Sequence, residues 1–179
     1  MSGRVLLLAG WGGSDFPHWQ SWLASELAKN YGCVSFLKFS TFDLPDKDTW
    51  MDELIKEIDL FKPDIVICHS IANILWFHIC NELNLKVIKK LYLVVPPSLK
   101  CDIEELSSFY PCTIPTNLYA KESLLITSTN DPYMTQHEAE KLQNELGVPM
   151  KVLKDAGHIN ADSGFGEWEW ILQDIKKLQ

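Results

Sequence analysis

Short apolar runs alternate with amphipathic segments along the whole chain, and this alternation restricts the fold more than any other feature. Six runs read as strands: 4–10 (RVLLLAG), 33–39 (CVSFLKF), 64–70 (DIVICHS), 89–95 (KKLYLVV), 123–129 (SLLITST) and 150–156 (MKVLKDA). Several are continuously apolar, as strands covered on both faces must be. Between the runs, apolar residues recur at helical spacing. Trp19, Trp22, Leu23 and Leu27 form one stripe, and Trp50, Leu54, Ile58 and Phe61 a second. Trp168, Ile171, Leu172, Ile175 and Leu178 form a third. Residues 71–80 are apolar nearly all round, which predicts a central buried helix. Strand–helix alternation of this kind predicts an α/β fold: a doubly wound three-layer sandwich with a six-stranded, mostly parallel sheet. The 179 residues are expected to form one domain, 1–179. One connection breaks the rhythm. Residues 96–122 hold four of the nine prolines and one short helical piece, and are expected to be a surface excursion, a small lid or an active-site flank.

The balance of 16 basic and 24 acidic residues, net −8, includes no basic stripe, which argues against nucleic acid and anionic membrane surfaces as partners. The five cysteines are widely spread with no C-x-x-C, and are expected to be free thiols in a reducing compartment. The apolar run near the N-terminus meets glycines too early for a secretory leader. The cytoplasm is the expected location. Several nucleotide and metal signatures fail. G-x-G-x-x-G from Gly10 would need a glycine where Asp15 stands, and no G-K-[ST] follows. His137 opens HEAEK, which is not a zinc-protease motif. Asp43, Asp46, Asp48, Asp52 and Glu53 read as a solvated helix entrance. No metal or cofactor is expected.

Ser70 stands at the carboxyl end of the third run, where open parallel sheets bind ligands. A hydroxyl at a strand-to-helix corner is either a helix cap or a nucleophile. A nucleophile elbow, G-x-S-x-G, wants small residues two before and two after the serine, and here these are Cys68 and Ala72. The pentapeptide alone leaves both readings open. A serine nucleophile also needs a base to take its proton and an acid to orient that base. Asp131 follows the fifth run and His158 the sixth, giving the order Ser, Asp, His beyond the carboxyl ends of three strands. Two N–H donors should hold the developing oxyanion: that of Ile71, after the serine, and that of Trp11 in the AGWGGSDF loop, with Gly12 next in line.

These stretches resemble the small serine hydrolases of the α/β-hydrolase superfamily typified by retinoblastoma-binding protein nine. GWGGSDFPHWQSWL after the first strand, CHSIA at the elbow, NDPY at the acid and GHINADSGFGEW around the histidine carry the likeness. The last is the most specific, through Gly157, His158, Asn160, Ser163, Gly164, Gly166 and Trp168. The resemblance spans the chain and implies a compact hydrolase core without a large cap, with Ser70 as nucleophile, Asp131 as acid and His158 as base. Cys68 and Ala72 depart from the elbow glycines. The L-x-C-x-E peptide associated with retinoblastoma-protein binding is absent, since HICNE (78–82) and LKCDI (99–103) each miss one position, so that partner is not expected.

The expected activity is carboxylester hydrolysis on a small acyl substrate, with thioester and amide cleavage sharing the same parts. Trp11, Gly12, Phe16, Tyr133 and Phe165 are placed around the pocket and favour an apolar acyl or aryl group. His69 is expected to turn away from Ser70 into packing, His18 to cap or shape the first loop, and His78 to be a satisfied core histidine. The competing expectation is a hydrolase-like binding module with little turnover.

Overall fold

Alternate residues of the central strands bury into opposite cores, which fixes a layered architecture. In the computed structural model, which describes residues 3–29 and 32–178, the strands are β1 (Arg4–Leu8), β2 (Cys33–Leu37), β3 (Ile65–His69), β4 (Ile88–Val94), β5 (Ala120–Ser128) and β6 (Met150–Leu153). The helices are α1 (Trp19–Lys29), α2 (Lys47–Phe61), α3 (Ile71–Glu82), α4 (Gln136–Leu146) and α5 (Glu169–Lys176). Met1, Ser2, Asn30, Tyr31 and Gln179 of the expected 1–179 domain lie outside the described residues.

The sheet order is β2-β1-β3-β4-β5-β6, and every pairing is parallel. Leu6, Leu8, Val66, Cys68, Leu91 and Leu93 face one core with α2, α3 and α4. Val5, Leu7, Ile65, Ile67, Tyr92 and Val94 face the other with α1 and α5. The two-residue period of a strand makes this division. The chain runs outward from β1 to β2, then returns past β1 to β3 and continues to β6. Right-handed crossovers therefore put α1 on one face and α2, α3 and α4 on the other. The direction reverses between β1 and β3, and the opening at such a switch point receives ligands in open α/β sheets.

Caps follow local chemistry. Asp46 accepts the Thr49 N–H at 2.8 Å to start α2. Thr135 and Glu138 form a reciprocal capping box on α4, which ends at the left-handed Gly147. Helix α3 buries nine of its twelve residues, so it is held by packing around its whole circumference.

All six expected strands are present, but each ends one to three residues earlier than its apolar run does, and the surplus residues leave the sheet to build loops. β5 begins earlier than expected, at Ala120, which shortens the long connection to 95–119. That connection carries a 3₁₀ helix, Glu104–Phe109, and is tied down throughout. Lys47 N–H donates to Ser108 Oγ at 3.1 Å, His78 Nε2–H to Phe109 O at 2.8 Å, and Ser98 Oγ–H to Glu138 Oε1 at 2.7 Å. Phe109 meets Trp50 edge to face.

Candidate active site

The β3–α3 corner turns on Ser70, whose φ of 55° and ψ of −127° are unusual for a residue with a side chain. Such a conformation costs on the order of 1–3 kcal/mol and persists only where its surroundings impose it. Three contacts do so. Ser70 N–H donates to Val94 O at 3.0 Å. The Asn73 side chain donates to Ser70 O at 2.7 Å and to Val94 O at 2.9 Å, tying the corner to the end of β4. Gly10 presses on the corner from β1: a Cβ there would lie 2.9 Å from Ser70 Cβ and 3.2 Å from His69 O. Only hydrogen fits in that space. Cys68 and Ala72, both fully buried, are small enough for the same turn to form without the elbow glycines.

Ser70 makes no side-chain cap to α3. Its Oγ instead lies 2.8 Å from His158 Nε2. On the other side of the ring, His158 Nδ1 is 3.0 Å from Asp131 Oδ1 and 3.2 Å from Oδ2. A carboxylate only accepts, so Nδ1 carries the proton and Nε2 presents its lone pair to the Ser70 hydroxyl. The Asp131 side chain is 3% exposed and also accepts the Tyr133 N–H at 2.9 Å.

Two loops hold this line of groups. After β5, Asn130 Oδ1 accepts Ser128 Oγ–H at 2.9 Å and Gly157 N–H at 2.7 Å, joining the aspartate loop to the histidine loop. After β6, Ser163 Oγ accepts the His158 N–H at 3.1 Å and donates to Asn160 Oδ1 at 2.7 Å. Gly157 has φ +54°, and a Cβ there would overlap Ser163 Oγ. The GHINADS stretch is thus a clamp on the histidine backbone. Sequence reasoning named Asn160 and Ser163 without roles, and missed Gly10, Asn73, Ser128 and Asn130. Those four act on backbone brought in from other strands, which local spacing does not reveal.

A cavity of about 480 Å³ opens over Ser70. Trp11, Gly12, Phe16 and Tyr133 line it as expected, and Tyr133 also meets His158 edge to face at 4.5 Å. Pro97, Ile103 and Leu106 of the long connection form an apolar wall. Phe165 corrects the sequence reading: it does not line the cavity but packs edge-on against Trp168, while its carbonyl accepts the Trp19 N–H. The turn at Gly164 directs that ring into the α1–α5 core. Among the described residues, the N–H groups of Trp11 and Ile71 have no hydrogen-bond partner, whereas the Gly12 N–H is taken by Phe42 O at 3.1 Å. Trp11 itself is anchored through Nε1–H to Asp43 O.

His69 packs as the sequence predicts: it is buried against the rings of His18, Trp19 and His158, on the side that strand alternation also gives Ile65 and Ile67, and the residue borders the cavity. His18 both caps, accepting the Gln20 N–H at 3.1 Å, and lines the cavity. Burial, with His158 nearby, pushes His18 down to about 4. Burial and the two neighbouring histidines hold His69 well below the usual range. Both rings are neutral at pH 7. Burial raises the Cys68 thiol well above its usual range, so this residue next to the elbow is an inert packing group. Among the described residues, no cluster of three or more His, Cys, Asp or Glu side chains is arranged to hold a metal. No helix among them is long and apolar enough to cross a membrane.

The family model for serine hydrolases matches residues 5–177. The chain belongs to the serine hydrolase family. This serine hydrolase is similar in structure to the ydeN gene product of B. subtilis, with a TM-score of 0.86 at 18% identity over 98% of both chains. A YdeN-like hydrolase from Pectobacterium atrosepticum gives 0.75 at 24% identity, over 98% of this chain and 90% of that one. The esterase domain of a Rhodothermus marinus protein gives 0.63 at 13% identity, over 96% and 87% respectively. These likenesses place the fold among compact α/β hydrolases. No curated protein matches the chain in sequence.

Proposed function

We propose that this serine hydrolase cleaves small carboxylic esters through an acyl-enzyme on Ser70. The observation that carries the reading is the continuous line Ser70 Oγ, His158 ring, Asp131 carboxylate, at 2.8 and 3.0 Å. In the first half-reaction His158 Nε2 takes the hydroxyl proton as Ser70 Oγ bonds to the acyl carbon. The Trp11 and Ile71 N–H groups receive the oxyanion. Asp131 keeps the ring in the Nδ1–H tautomer and stabilises the imidazolium. The intermediate then collapses: the carbonyl re-forms, the ester C–O bond breaks, and the alcohol leaves with the proton from His158. Water repeats the sequence on the acyl-enzyme, giving up its proton to His158 and releasing the acid as Ser70 regains a proton.

The apolar wall of Pro97, Ile103 and Leu106 suits a modest acyl or aryl group. The presence of an esterase domain among proteins of similar fold supports ester over other acyl substrates. The test is covalent labelling with a fluorophosphonate probe. Labelling of the wild type that vanishes in Ser70→Ala and His158→Ala is the expected result. A folded wild type that takes no label would overturn the triad and leave the binding-module reading.

A further inference from the structure

Among the described residues, the exposed Phe, Trp and Tyr side chains all border one cavity. Trp11, Phe16 and Tyr133 are 37%, 83% and 42% exposed, and all three line the cavity over Ser70. The other exposed large apolar residues, Leu44, Leu60, Leu83, Val87 and Val152, do not line it. Scattered aliphatic side chains are ordinary on a surface, but aromatic surface collected at a nucleophile's cavity fits a ligand.

Tyr133 is the one of the three fixed against the catalytic groups. Its N–H donates to Asp131 Oδ1 at 2.9 Å, and its carbonyl accepts the Ser98 N–H at 2.8 Å. Both backbone polar groups are thus engaged within the protein, and the surface it exposes is that of its side chain. The ring centroid lies 4.5 Å from that of His158, at an interplanar angle of 66°. The tyrosine ring therefore borders the base, on a residue that lines the cavity and stays well exposed.

The reaction decides which part of an ester this ring meets. His158 Nε2 returns its proton to the departing alcohol oxygen, so that oxygen comes within hydrogen-bond reach of Nε2. The oxyanion is directed to the Trp11 and Ile71 N–H groups, and the acyl chain takes the remaining bond of the tetrahedral carbon. Only the alcohol is drawn to His158, so its substituent begins beside Tyr133. The lining includes Asp15 and Asp162 and no lysine or arginine, so a negatively charged alcohol is unmatched there. A neutral flat ring can meet Tyr133 offset or edge to face, the geometries that aromatic pairs prefer.

We propose that Tyr133 is the specificity-determining residue for the leaving group, and that the preferred substrate is an ester of a neutral alcohol bearing an aromatic ring. The inference rests on the ester-hydrolase reading above. The test compares benzyl butyrate with cyclohexylmethyl butyrate, two esters of primary alcohols that differ in the aromaticity of a six-membered ring. A reversed pair, ethyl phenylacetate and ethyl cyclohexylacetate, carries the same rings in the acyl chain.

In the wild type, kcat/KM should favour the benzyl ester about threefold or more, the discrimination one aromatic pair supplies. Tyr133→Phe should keep that ratio, and Tyr133→Leu should bring it to about one. Any effect of the ring on His158 itself cancels in the ratio, because both esters use the same base. Leucine keeps the two backbone hydrogen bonds of residue 133, so the loop is retained. Equal rates for the two butyrates, in a wild type that takes the fluorophosphonate label, would overturn the subsite and leave the esterase standing. A ratio unchanged in Tyr133→Leu would overturn it as well. A Tyr133-dependent preference as large in the acyl pair would also overturn it, by placing the ring in the acyl chain. A wild type that takes no label overturns the hydrolase reading, and this one with it.

Discussion

At the amino ends of the strands, Asp64 collects the Arg4 N–H at 2.9 Å and Lys89 Nζ at 3.3 Å, and these partners hold its carboxyl below the usual range. The two left-handed non-glycine residues at that end are each tied. Lys62 closes α2 through Ile58 O, and the Tyr119 N–H reaches Asn117 Oδ1 at 2.8 Å. At the carboxyl ends, Thr41, Ser70, Val95, Asp155 and Ile159 all have positive φ. Orphan polar atoms of Ser14, His18, His69 and Asn73 gather around Ser70 there. The amino end carries two such left-handed residues and the carboxyl end five, and it is at the carboxyl end that these orphan atoms gather. Strain and unsatisfied polar atoms persist where a reaction or a ligand uses them.

The sharpest way to break this contrast is at Ser70. Ser70→Ala should lower kcat by on the order of 10⁶-fold, read with a chromogenic ester. Ser70→Gly should be equally inactive yet more stable by about 1 kcal/mol, because glycine accepts the backbone conformation that serine resists. A Ser70→Gly protein that melts below the wild type would show that the corner is not strained. Next in size, Asp131→Asn should cost about 10⁴-fold in kcat by favouring the wrong histidine tautomer, with KM little changed. Gly10→Ala should displace the elbow and cost about 10²-fold in kcat/KM, since the added methyl would come 2.9 Å from Ser70 Cβ.

Stability should depend on pH through the carboxyl-end histidines. His18 titrates near 4 in the folded protein against about 6.5 unfolded, so the unfolded chain binds the proton first. Stability is then flat above pH ~7 and falls by roughly 2–3 kcal/mol as pH drops from about 6.5 to 4. His18→Phe should flatten that slope in denaturant titrations, and an unchanged slope would assign it to other groups. The smallest effect belongs to the other end. Asp64→Ala should cost about 1 kcal/mol, because its ion pairs are part-exposed, and leave kcat/KM intact. A loss of activity there would dissolve the distinction between the two ends.

Asp131 and His158 were legible because each follows an apolar run directly, so strand position and chemistry coincide in the sequence. Trp11 reaches the cavity for the same reason, and it differs from its neighbour in that the Gly12 N–H is bonded to Phe42 O. Phe165 was misplaced because proximity to His158 along the chain says nothing about which side of a turn a ring takes. Phe165 goes to the α1–α5 core. His69 was legible because it is the last residue of β3, so alternation puts its ring with Ile65 and Ile67 on the Trp19 side.

By itself the sequence determined the layered parallel sheet, since continuous apolar runs separated by amphipathic helices leave no other way to cover both strand faces. It also determined the order of serine, aspartate and histidine along the carboxyl edge. Tertiary structure alone decided the contacts made across strands: Gly10 against Ser70, Asn73 between β3 and β4, Asn130 against the histidine loop, and His18 against His69. Those depend on distances between segments up to 60 residues apart, which a local pattern of residue types does not encode, and on the few tenths of an ångström that separate a hydrogen bond from a clash.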